Sequence, residues 1–164
     1  MKITEDSHEP AGSVKHMLRV QYREHLKAFN RDLLEMCDTV RSIASHANAA
    51  LLEQSLDDAE TALTEADSLQ EISDRCEERS MRLLALQNPV ASDLRQVLSA
   101  IYIVEHFERM GSLARNIALL ARQRYPEPVY PAPLHGYVEE LARLVDDMGA
   151  ATRNLLVEPD ADAA

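Results

Sequence analysis

The 164-residue sequence has no tryptophan, only two phenylalanines and four glycines, and no long apolar run. Its longest apolar stretch, "LSAIYIV" at 98–104, is about a third of what a membrane-spanning helix needs. The opening "MKITEDSHEPAGSVKH" has no apolar core, which argues against a secretion signal. Cysteine is scarce too. Cys37 and Cys76 lie in helical stretches and read as buried, reduced thiols of a cytosolic protein rather than a disulfide framework. Positive charge is in deficit, with 17 Lys and Arg against 28 Asp and Glu for a net −11. That balance argues against a direct nucleic-acid role or attachment to an anionic membrane surface. Signature motifs of catalysis are missing as well. There is no P-loop, GxGxxG, HExxH or Gly-x-Ser-x-Gly, no nucleophile beside a base, and no histidine pair at zinc-like spacing.

What is there is helical. Hydrophobic residues make up 46% of the chain and charged residues 27%, and Leu, Ala, Arg and Glu dominate. From Arg19, the residues Leu26, Phe29, Leu33, Met36, Val40, Ile43 and Ala47 recur at threes and fours, the spacing of one helix face. Ser55 offers an N-cap, with Asp57 and Asp58 in the following first turn. A second run through Ala59, Leu63, Ala66, Leu69, Ile72, Cys76, Leu83 and Leu86 stops at Asn88-Pro89, because proline disfavours helical geometry in the residue before it. Pro89 is tolerated in the first turn of the next helix, where Ser92 and Asp93 supply cap and charge. That third helix is expected to run on Leu94, Val97, Ile101, Val104, Glu108, Leu113, Ile117 and Leu120 to about Arg124. "YPEPVYPAP" (125–133), with four prolines in nine residues, is a stiff connector. A fourth helix carries the stripe Leu134, Val138, Leu141, Val145, Met148 and Leu155.

Helices of roughly 30 residues, or about 45 Å, must bury their stripes on each other. The expected fold is all-α: an elongated antiparallel three-helix bundle plus a fourth helix. A weak internal repeat supports this division. "ANAALLEQSLDDAE" (47–60) matches "ATRNLLVEPDADAA" (151–164) at five of fourteen positions, which would make the fourth helix the start of a second copy.

Three features of this pattern bear on chemistry. Asp67, Glu71, Asp74 and Glu78 form an acidic stripe on helix two, expected to be a solvated face. Glu108 lies close to the apolar line of helix three, so it needs a basic or hydrogen-bonding partner, or a cation. Gly111 costs about 1 kcal/mol relative to alanine in mid-helix, which suggests close approach of a neighbour.

The segment "LLALQNPVASDLRQVLSAIYIVEHFERMGSLARNIA" (83–118) resembles the PhoU family of phosphate-specific transport accessory proteins. The resemblance rests on Gln87, Pro89, Ala91, Asp93, Leu94 and Arg95, then Glu108, Arg109 and Gly111, and extends more loosely from Met17 onward. The forms "ERMGSLA" and "RQRYPEPV" look actinobacterial. The resemblance implies a PhoU-like bundle over 17–124, after a disordered leader at 1–16, with a truncated second repeat and tail over 134–164. It implies a cytoplasmic, non-enzymatic, negative regulator of the phosphate-starvation response and phosphate uptake. Such a regulator links the ATPase subunit of the phosphate ABC transporter to a sensor histidine kinase by protein contact, and a homodimer is expected. Gln87, Pro89, Asp93, Arg95, Glu108, Arg109 and Gly111 are then the residues of a partner or structural motif.

The family's iron or zinc clusters, on paired acids four residues apart, look degraded here, so no cofactor is expected. Ser112 and Leu69 stand where the second acids would be, which leaves Glu65 and Glu108, with Asn116 nearby, as the remaining ligand candidates. The rival reading, a metal-binding bundle of ferritin-like type, calls for Glu-x-x-His motifs on facing helices, which the sequence lacks.

Overall fold

The computed structural model describes residues 11–85 and 91–158, and side chains over 19–85 and 94–158. It contains four helices, α1 (Ala11–Glu53), α2 (Leu56–Ala85), α3 (Ala91–Arg124) and α4 (His135–Val157), with no strand among the described residues. A short 3-10 turn, Ala132–Leu134, leads into α4. α1 starts at Ala11, so six residues assigned to the leader are helical. Residues 1–10, and Gln87 and Pro89 of the sequence between α2 and α3, lie outside the described residues.

α1, α2 and α3 pack mutually as a bundle, and α4 lies on α1. The single apolar face of α1 does what its spacing dictates. Phe29, Leu33, Met36, Val40, Ile43 and Ala47 are buried, and Leu26 is half-buried. α2 contributes Leu63, Leu69, Ile72, Cys76 and Leu83 to the same core. Full burial of each large apolar side chain stabilises by about 1.5–3 kcal/mol, and this packing of apolar faces is what holds the helices in place. The turn between α1 and α2 is two residues. Gln54 takes a left-handed conformation (φ 53°), and the Asp58 N–H donates to Ser55 Oγ at 3.2 Å, so Ser55 caps α2 as its position suggests.

α3 departs from expectation. Leu94, Leu113 and Leu120 are exposed, and the face turned to the core is Val97, Val104, Phe107, Gly111, Ala114, Ala118 and Ala121. α3 carries apolar residues around most of its circumference, so periodicity does not fix its phase. Small side chains decide it, because they let α1 and α2 approach closely.

α4 also differs. Leu134, Leu141, Val145 and Met148 of its expected stripe are exposed, and only Val138 and Leu155 are half-buried. It meets α1 through Ala142 and Gly149 instead. A Cβ at Gly149 would lie 3.0 Å from Arg41 Cγ, and Arg153 grips Asp38 of α1 with Nε at 2.6 Å and Nη2 at 3.2 Å. A broad apolar arc sits half on α1 and half in solvent.

Candidate functional site

The motif residues meet along the seam between α2 and α3. Glu108 is half-buried there, and its Oε1 accepts a hydrogen bond from the buried Ser73 hydroxyl of α2. This hydroxyl is a hydrogen-bonding partner of the kind that the position of Glu108 demands. Two clefts flank the carboxylate. One, of about 250 Å³, runs past Ser73, Cys76, Ser80 and Glu105, and the other, of about 190 Å³, past Gln70, Ser112 and Arg115. Three residues after Glu108, Gly111 is buried against Leu69, and an added Cβ there would run into the Leu69 Cδ2 methyl. The glycine is therefore a packing notch.

On the opposite seam, Glu65 of α2 accepts from Ser42 Oγ of α1 at 3.0 Å. The two carboxylates left from the family's acidic pairs are thus both engaged by serines. The Leu69 side chain occupies the position of one missing acid, and the exposed Ser112 that of another. No group of three or more His, Cys, Asp or Glu among the described residues is arranged to hold a metal ion. A hard cation prefers several carboxylates in a fixed cage, so the donor set does not fit the family's clusters.

The remaining candidates divide between surface and scaffold. Arg95 and Arg109 are exposed with no partner among the described residues. Asp93 lies in the first turn of α3, but its side chain is outside the described set. Asp67, Glu71, Asp74 and Glu78 are all exposed, a solvated acidic face as expected. Both cysteines are buried and free. Burial raises the Cys37 thiol and pushes Cys76 up to about 12, which makes them poor nucleophiles.

Sequence reasoning missed one polar centre. Asp32 of α1 is buried and paired with Arg79, with Arg75 Nε 3.8 Å away, while Arg75 Nη2 reaches Glu35 at 2.6 Å. The Glu35 hydrogen bond raises Arg75 above its ordinary value. The only signal was an aspartate one residue before Leu33 of the apolar line, with arginines four apart on α2.

Comparison with known proteins settles the family. The PhoU domain description matches residues 33–121. The chain belongs to the PhoU family. It is 35% identical over 147 residues to the phosphate-specific transport system accessory protein PhoU homolog 2 of Mycobacterium tuberculosis, covering 90% of this chain and 69% of that protein. It is 37% identical to PhoU homolog 1 of Mycobacterium leprae, covering 90% and 66%. The chain thus spans about two thirds of the length of these relatives. No solved structure matches it.

Proposed function

We propose that the chain is a regulatory accessory of phosphate uptake that acts in the cytoplasm by protein contact and carries out no chemistry of its own. The observation that carries this reading is its similarity, along 90% of its length, to proteins named as phosphate-specific transport accessory proteins. Two features of the chain support it. The motif residues build packing and surface, not a nucleophile with its base, and no described helix is long and apolar enough to cross a membrane. In this reading it is a negative regulator, joining the ATPase subunit of the phosphate ABC transporter to a sensor histidine kinase, and it self-associates as a homodimer through the exposed arc of α4.

The test is a phosphate-starvation reporter in a bacterium whose own homolog is deleted. Expression of the chain should restore repression at high phosphate. A reporter that stays fully induced while the folded protein accumulates overturns the reading.

A further inference from the structure

Of the Glu108-Arg109-x-Gly111 motif, Glu108 and Gly111 face inward and are used by the fold. Arg109 points out, with no hydrogen bond or ion pair among the described residues. It sits in the middle of a ridge in which Leu98, Tyr102, Leu113 and Leu120 share its helix face at steps of four and seven. All four are exposed, Tyr102 at 63% and Leu113 at 57%. Arg95 and Arg124 close the two ends, and the intervening positions hold His106 and Asn116. The ridge extends about 44 Å; the exposed Glu105, four residues before Arg109, borders it, and against that one carboxylate stand Arg95, Arg109 and Arg124, in a chain whose net charge is −11. The other arginines on α3 are engaged, Arg115 with Asp67 at 3.8 Å and Arg122 with Glu60 at 3.4 Å. A helix that is apolar on both sides is normally covered on both sides, and among the described residues only the inner side of α3 is covered.

We propose that this ridge of α3 is a docking surface for one amphipathic helix of a partner protein, a helix whose apolar face is bordered by carboxylates. Charge complementarity selects the occupant. Covering the ridge desolvates Arg109, and a guanidinium taken from water among leucines needs a carboxylate, which it can bind in bidentate fashion. Arg and Tyr are also the side chains that most often dominate binding at the centre of an interface. A narrow ridge at helical spacing suits a second helix better than a plane of lipid headgroups.

The inference rests on the proposed regulatory role for its choice of partner, so the test separates the two. The intact chain is titrated by calorimetry with the purified transporter ATPase subunit, and separately with the cytoplasmic part of the histidine kinase. The same is done for Arg109→Glu and for Tyr102→Ala/Leu113→Ala, and flotation on phosphatidylglycerol vesicles runs in parallel. We expect one of the two proteins to bind, at least tenfold more weakly to each variant, with the variants' melting temperatures unchanged and vesicles not bound. If a protein binds and the variants bind it equally well, the docking ridge is wrong and the regulatory reading stands. If vesicles bind and Arg109→Glu abolishes that binding, the ridge is a membrane surface and the inference fails. If neither protein binds the intact chain, both readings fall together.

Discussion

The Ser73 hydroxyl of α2 donates to Oε1 of Glu108 on α3, tying together the two helices on either side of Asn88-Pro89 in the sequence. A buried serine and a half-buried glutamate are each costly alone, and together they satisfy one another. Ser73→Ala leaves the carboxylate without its donor and should cost about 1–3 kcal/mol. Glu108→Gln keeps an acceptor oxygen, so it should cost less than Glu108→Ala. Denaturant melts of Ser73→Ala, Glu108→Ala and the Ser73→Ala/Glu108→Ala double variant check this. Strictly additive effects would mean that the contact contributes nothing.

Gly111 and Leu69 form the second lock on that seam. Leu69 is buried and cannot swing away freely, so Gly111→Ala should destabilise by about 1–3 kcal/mol despite the better helix propensity of alanine. Combining it with Leu69→Ala, which opens space beside the new methyl, should cost less than the sum of the two single changes. Equal melting temperatures for the wild type and Gly111→Ala would show that the notch is roomier than its contacts indicate.

Much of this was readable from the sequence, for a physical reason that also explains the misses. α1 has one apolar face, so the spacing of Phe29, Leu33, Met36, Val40 and Ile43 fixes its orientation. α3 has apolar residues nearly all round, so Leu113 and Leu120 look as core-like as Val97 and Val104. What turns the helix is the size of Gly111, Ala114, Ala118 and Ala121, which a hydrophobicity pattern weighs lightly. α4 fails in the same way, since Ala142 and Gly149 admit α1 while Leu141 and Met148 stay in water. The need of Glu108 for a partner was legible. Ser73 as that partner was not, because a serine in a helical stretch carries no positional signal.

The start of α2 should be acid-sensitive. Hydrogen bonding by Ser55 first, then by His46, whose Nδ1 is 2.8 Å from Asp58 Oδ1, holds the Asp58 carboxyl below its ordinary value. A depressed folded-state pKa gives stability that is present above the unfolded value and lost as pH falls through the folded one. Thermal melts should therefore show Asp58→Asn less stable than wild type at pH 6, with the gap closing as the pH falls through the depressed folded-state value. A gap that persists unchanged to pH 2 would assign the effect to packing instead.

The metal question has a direct answer in elemental analysis. Glu65 and Glu108 are each held by a serine, and Leu69 and Ser112 stand where further acids would complete a cluster. The protein should therefore purify without stoichiometric iron or zinc, and its melting temperature should not move on dialysis against a chelator. Leu69→Asp with Ser112→Asp rebuilds two acidic pairs and should restore metal uptake, seen as a melting temperature that rises with added iron or zinc through binding to the folded state alone. Near one equivalent of tightly held metal in the unmodified protein would overturn this account. It would require Ser73 and Ser42 to release their carboxylates, and it would make Glu65, Glu108 and Asn116 the first ligands to replace.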